Sequence, residues 1–129
     1  MNFQDFTQMP VWKFVFELLL HIHKLIQSCP SDEPFGFVSN IRKLANSIVR
    51  HIAEGFRRCA PKEKTRFYQI ARESVYELRR QLLASYALPF VEDRLKVELI
   101  QSCEQIIGEL NAMMRTLTPS TIVIERCWK

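Results

Sequence analysis

Glycine is scarce in this sequence, with 3 residues among 129. Neither phosphate-binding glycine motif, G-x-x-x-x-G-K or G-x-G-x-x-G, is found, which excludes the usual nucleotide-binding loops. Histidine also numbers 3, and no serine or cysteine lies in a local nucleophile motif such as G-x-S-x-G. Because a nucleophile needs a base and an orienting group, we expect a protein that is not an enzyme.

Metal-binding patterns are missing as well. His21 and His23 are two positions apart on a predicted helix, so their side chains point about 200° apart and cannot share a metal. Glu73 and Glu77 have the spacing of a di-metal bundle, but the Glu-x-x-His motifs that complete such a site are absent. We expect no cofactor or metal, and isolated thiols in a reducing cytosol, because no C-x-x-C pair or zinc-finger histidine accompanies the 4 cysteines, which are Cys29, Cys59, Cys103 and Cys127.

Long apolar runs are absent too. The longest, residues 11–26, contains Lys13, Glu17 and Lys24, and this density of charge excludes a membrane span. The first nine residues have no basic cluster before an apolar stretch, so we expect no secretory signal and a cytoplasmic location.

The sequence is rich in hydrophobic residues at helical spacing. Four stretches carry apolar residues three and four positions apart, which is typical of amphipathic helices. Pro10 and Pro61 stand where a missing N–H costs nothing at a helix start. We predict helices over about 10–28, 37–58, 61–87 and 91–117, followed by a tail, 118–129. The short connections force neighbours antiparallel, so one all-α domain with an up-down-up-down antiparallel four-helix bundle is expected.

Positive charge is concentrated in the middle of the chain. Residues 42–80 hold eleven basic and four acidic residues, a net charge of +7, whereas the rest of the chain carries −3. Concentrated positive charge attracts polyanions. The predicted nucleic-acid-binding residues are therefore Arg42, Lys43, Arg50, Arg57, Arg58, Lys62, Lys64 and Arg66.

Two features of this segment have alternative interpretations. The spacing of Arg50, Glu54 and Arg58 fits either ion pairs on a helix surface or a carboxylate that holds two arginines toward an anion. Residues 56–68 contain five basic residues and three aromatics, and exposed aromatics could stack on unpaired bases. The alternative is a solvated loop with Phe56 and Phe67 in the core.

Residues 47–56, SIVRHIAEGF, resemble the "SIPSNIAEG" signature of the 23S rRNA intervening-sequence proteins. The resemblance runs from Val11 to about Leu88 and includes an opening VWK, an EPFGF loop and the basic pair at 42–43. The proline, serine and asparagine of the signature are replaced by Val49, Arg50 and His51. Without that proline, a straighter second helix is expected.

The resemblance implies a four-helix bundle that assembles as a homopentamer and has no assigned catalytic residues. It also implies a relation to the accessory variability determinant of diversity-generating retroelements, which binds a reverse transcriptase and nucleic acid. A second apolar face on the first helix, formed by Phe14, Leu19 and Ile26, is also consistent with self-association.

Two functions follow as hypotheses. The first is an oligomeric scaffold that binds nucleic acid, RNA in particular. The second is a protein–protein assembly module, such as an accessory subunit that binds a retroelement reverse transcriptase. A small-molecule-binding bundle is a third possibility, and it would need a sizeable internal cavity.

Overall fold

The computed structural model describes residues 3–31, 36–84 and 89–117. Its four helices are α1 (Pro10–Ser28), α2 (Phe37–Arg57), α3 (Pro61–Ala84) and α4 (Asp93–Arg115), preceded by a 3-10 turn at Phe6–Gln8. The predicted all-α up-down-up-down four-helix bundle is confirmed. The tail from 118 onward and the predicted end of the third helix at 87 lie outside the described residues.

Local signals explain the helix ends. Pro10 occupies the first turn of α1, and Pro30 follows its last residues. Gly36 precedes α2 with a φ of 66°, a left-handed conformation that glycine adopts without a steric penalty. In α4, Asp93 lies in the first turn and Arg115 in the last. Both charges interact favourably with the helix dipole and stabilise the helix ends.

Each helix buries one stripe of side chains in the core of the bundle. The buried stripes follow the spacing of three and four positions that the sequence predicted, with a few exceptions. Tyr68 is in the core, whereas Ile70 is 36% exposed. Lys96 of α4 is buried, with its ammonium 3.7 Å from Asp93. The buried stripes of α1 and α2 consist of Val11, Val15, Leu18, Ile22 and Leu25, and of Phe37, Ile41, Ala45, Ile48, Ile52 and Gly55.

The helices do not pack equally closely. α2 packs most extensively against α3, α3 and α1 each contact α4, and α1 contacts α2 least. The region where α2 and α3 meet is thus the most tightly built side of the bundle, and it also carries most of the positive charge. No helix in the described part of the chain combines the length and the apolar character needed to cross a membrane.

Candidate nucleic-acid interface

The outward face of α2 carries four of the predicted basic residues. We call Arg42, Lys43, Arg50 and Arg57 the basic stripe; all four are exposed. Lys43, Arg50 and Arg57 are seven residues apart, and a seven-residue step drifts only about 20° around a helix. The buried residues of α2 lie on the opposite side. The stripe extends over about 22 Å, at about 1.5 Å per residue.

Most of the basic stripe is free of carboxylates. Among the residues that the structure describes, Arg42, Lys43 and Arg50 form no ion pair. Arg57 places its Nε 3.2 Å from Oε1 of Glu54 while its side chain stays 70% exposed. Glu54 is the only acidic residue of α2. The stripe therefore presents at least three cations to solvent.

Glu54 does hold two arginines, but the predicted pair was wrong in one member. Its partners are Arg57, and Arg58 at 3.5 Å, rather than Arg50 and Arg58. A glutamate that precedes its basic partner by four positions is the more favourable orientation on a helix, and Arg50 stands on the wrong side of Glu54 for that. Arg50 is left available to an external anion.

At the α2–α3 turn, two of the predicted residues are engaged within the protein. Lys64 donates hydrogen bonds from Nζ to the carbonyl oxygens of Gly55 (3.1 Å) and Phe56 (2.8 Å), so it caps the C-terminal end of α2. The guanidinium of Arg58 lies 4.9 Å from the centre of the Phe67 ring. Both side chains are half-buried, and they contribute less to an external surface than the sequence predicts.

The other two basic residues of the turn are exposed. Lys62 and Arg66 form no ion pair among the described residues. Arg66 lies over Phe67, with its guanidinium carbon 5.0 Å from the ring centre. Together with the basic stripe, they extend the positive surface around the end of the bundle.

The aromatic residues of the turn are not accessible for base stacking. Phe67 is 9% exposed and Tyr68 3%. Phe67 is covered by Arg58, by Arg66 and by His51, whose ring lies 6.1 Å away at 27°. Phe56 is half-buried against the core. The hypothesis of exposed stacking aromatics is therefore wrong for Phe67 and Tyr68, because the bundle and the basic side chains cover them.

Gly55 permits the close approach of α2 and α3. A Cβ atom on this residue would lie 2.6 Å from Cε1 and 2.8 Å from Cδ1 of Tyr68, closer than real contacts allow. Gly55 lies in the last turn of α2 and is buried. Burial raises the pKa of Tyr68 to about 12. Gly108, the glycine inside α4, has no atom within 4 Å of its Cβ position, so it does not serve a close helix crossing.

A serine–histidine cluster joins α2 to α3. The hydroxyls of Ser47 and Ser74 are 2.7 Å apart. Nδ1 of His51 is 2.7 Å from the carbonyl oxygen of Ser47 and 3.2 Å from its hydroxyl. The carbonyl oxygen can only accept, so Nδ1 donates its proton there and has no lone pair to serve as a base for Ser47. Sequence reasoning missed this cluster, and the serines beside the α2 and α3 stripes were its only signal.

The described residues contain no group of three histidine, cysteine or acidic side chains that could hold a metal ion. Cys29 and Cys103 are thiols, as predicted. The Cys29 thiol donates a hydrogen bond to the carbonyl oxygen of Leu25 at 3.3 Å, and burial raises the pKa of Cys103 to about 12. Cys59 is disulfide-bonded, so the prediction of isolated thiols is wrong for that residue. Cys127 lies outside the described residues.

An open pocket of about 630 Å³ lies at the α1–α2 end of the basic stripe. Arg42 and Lys43 line it together with Ser39, Asn46 and residues from the end of α1. The pocket is a surface depression between helix ends. It extends the basic surface and does not resemble the internal cavity that a small-molecule-binding bundle would need.

Comparison with known proteins places this architecture. No curated protein matches the chain. The model of one family, described as "23S rRNA-intervening sequence protein", matches residues 7–112. This match covers α1, α2, α3 and most of α4, and it includes every residue of the basic surface. The chain belongs to the 23S rRNA-intervening sequence protein family.

Proposed function

We propose that this protein is a non-enzymatic, nucleic-acid-binding helical scaffold that holds RNA by its phosphate backbone. The observation that carries the proposal is the basic stripe. Three of its four cations have no carboxylate partner among the described residues, and all four lie on one exposed face of a single helix. Lys62 and Arg66 continue the surface at the α2–α3 turn. Within this proposal the protein needs no cofactor.

Such a surface recognises charge rather than sequence. Basic side chains that meet phosphates release condensed counterions, so affinity should fall with salt by a logarithmic slope of about 0.7 to 0.9 per phosphate contacted. Four contacts from the basic stripe would give a slope of about −3 to −4 per protomer. Binding should then differ little between sequences, since phosphate contacts carry no base information.

Self-association would strengthen this binding, and we propose a homopentamer by family resemblance. Phe14, Leu19 and Ile26, the side chains expected to form an outer apolar face, are half-buried against the core. The apolar side chains that α1 exposes are Phe16 (51%) and Leu20 (50%), one turn apart. A symmetric ring would repeat the basic stripe and raise its weak affinity by avidity.

The test removes three cations of the basic stripe together. Arg42→Ala/Lys43→Ala/Arg50→Ala should weaken RNA binding at low salt by tenfold or more and reduce the salt slope by about 3. A matched control removes the same charge from exposed sites elsewhere, with Lys24→Ala/Arg94→Ala/Arg115→Ala. Fluorescence anisotropy with labelled RNA at several salt concentrations measures both. Equal loss in the two variants would contradict the proposal, because it would assign binding to net charge alone.

The second candidate function is a protein–protein assembly module, such as an accessory subunit that binds a retroelement reverse transcriptase. The exposure of Phe16 and Leu20 favours it, since neighbouring large apolar side chains at a surface are typical of protein contacts. If the chain binds no RNA even at low salt, the nucleic-acid proposal fails and this candidate becomes the better one.

A further inference from the structure

We infer that the basic stripe fits double-stranded, A-form RNA rather than single strands. The inference rests on the proposed function and narrows it to one class of nucleic acid. It follows from three properties of the surface: the covered aromatics beside the stripe, the shape of the exposed helix, and the small polar residues between its cations.

Single-strand binding proteins combine a basic groove with exposed aromatic side chains on which bases stack. This surface has the charge without the aromatics. The aromatic residues nearest the stripe in sequence, Phe56, Phe67 and Tyr68, are half-buried or buried. Among the described residues, the one aromatic side chain exposed by more than a third is Phe16, on α1. Unpaired bases would therefore gain little stacking energy on the outward face of α2. The lack of exposed aromatics does not affect contacts between the cations and a phosphate backbone.

The stripe is also carried by one continuous helix. α2 runs without interruption from Phe37 to Arg57. Lys43, Arg50 and Arg57 follow one another at about 10.5 Å, two helical turns apart. Fixed charges at regular spacing suit a duplex, whose phosphates are already held in place, better than a flexible strand that must lose conformational freedom to match them.

Small polar residues lie between the cations. Ser39 and Asn46 are exposed and also seven positions apart, beside Arg42 and Lys43. A-form RNA has a wide, shallow minor groove that displays 2′-hydroxyl groups, and duplex RNA is read there through shape, phosphates and those hydroxyls. A helix face that carries short hydrogen-bonding side chains between basic ones offers partners for both the phosphates and the hydroxyls of this groove. DNA lacks the hydroxyls, so it should bind the same face more weakly.

The experiment is a competition between nucleic acids of matched sequence, each of about 20 nucleotides per strand, somewhat longer than the ≈16 base pairs that double-stranded-RNA domains span. Duplex RNA, duplex DNA and single-stranded RNA compete, at equal phosphate concentration, for the full chain bound to labelled duplex RNA. We expect duplex RNA to compete about tenfold better than single-stranded RNA and several-fold better than duplex DNA.

Two variants sharpen the result. Ser39→Ala/Asn46→Ala should remove most of the preference for duplex RNA over duplex DNA, because it should lower the affinity for RNA more than the affinity for DNA. Phe67→Leu should leave single-stranded RNA binding unchanged, with circular dichroism as the check on folding. Single-stranded RNA that competes as well as the duplex, or a loss of single-strand binding in the Phe67 variant, would overturn the inference. If the labelled duplex RNA itself does not bind the chain at low salt, no competition can be set up and the proposed function is refuted instead, so the two failures are distinguishable.

Discussion

Replacing Gly55 with alanine tests the close packing of α2 against α3. The added methyl group would lie 2.6 Å from Cε1, 2.8 Å from Cδ1 and 3.2 Å from Cζ of Tyr68. These atoms belong to a rigid ring that is 3% exposed, so the ring cannot turn away without disturbing the core. Overpacking of this kind typically costs about 1 to 3 kcal/mol.

Helix propensity acts in the opposite direction. Alanine stabilises a helix interior by about 1 kcal/mol relative to glycine. The net expectation for Gly55→Ala is therefore a destabilisation of about 1 kcal/mol, or roughly 3 to 5 °C in Tm for a chain of this length. Gly108→Ala is the matched control, because its Cβ would meet no atom within 4 Å. This variant should gain the higher helix propensity of alanine without any steric cost, and it should stabilise the protein by up to about 1 kcal/mol.

Urea unfolding followed by circular dichroism, at one protomer concentration, measures both variants, since oligomers make stability depend on concentration. The two substitutions should change the free energy of unfolding in opposite directions. Tyr68→Leu combined with Gly55→Ala should recover part of the loss, and the coupling between the two sites should reach about 0.5 to 3 kcal/mol. If Gly55→Ala stabilises the protein as much as Gly108→Ala does, the close approach described here does not exist.

Three further predictions concern charge, pH and assembly. Glu54→Gln should raise affinity for RNA a few-fold in anisotropy measurements, because it frees two arginines from their carboxylate; unchanged or weaker binding would contradict this. Burial raises the pKa of Tyr68 to about 12 from 10.0, so the folded state holds this proton more tightly and stability should fall as pH rises from 10 to 12. Tyr68→Phe should flatten that fall in urea titrations, and an identical slope in both proteins would refute the assignment. Phe16→Ser/Leu20→Ser should lower the mass measured by light scattering, whereas an unchanged oligomer would place the interface elsewhere.

The architecture could be predicted from the sequence because each helix carries its own signals. Pro10 and Pro61 start α1 and α3 at the predicted residues. The start of α2 was predicted correctly and its end within one residue, and α4 is two residues shorter at each end than predicted. Periodicity identifies the buried stripe of a helix without knowledge of its neighbours. The same periodicity placed the basic residues of α2 on the face away from the core.

Contacts between helices could not be predicted in the same way. The partner of Gly55 is Tyr68, thirteen residues later in the sequence, and only the crossing of α2 and α3 brings them together. The two carbonyl oxygens that Lys64 caps are likewise defined by the turn. Tyr68 looked like a surface aromatic because basic residues surround it in sequence, yet its position on α3 faces the core. Local charge density says little about which side of a helix a ring occupies.

In the segment that carries the family signature, the residues that pack against α3 and the residues proposed to bind nucleic acid lie on different sides of α2. Ser47 and Gly55 face α3, where one forms a hydrogen bond and the other makes room for Tyr68. Arg50 departs from the signature, and it faces solvent in the middle of the basic stripe. Substitution at Arg50 should therefore change affinity for polyanions with little effect on stability, since exposed charges contribute little to folding. Because the packed residues and the cations occupy opposite sides of α2, the charge of its outward face can change without any change in the core of the bundle.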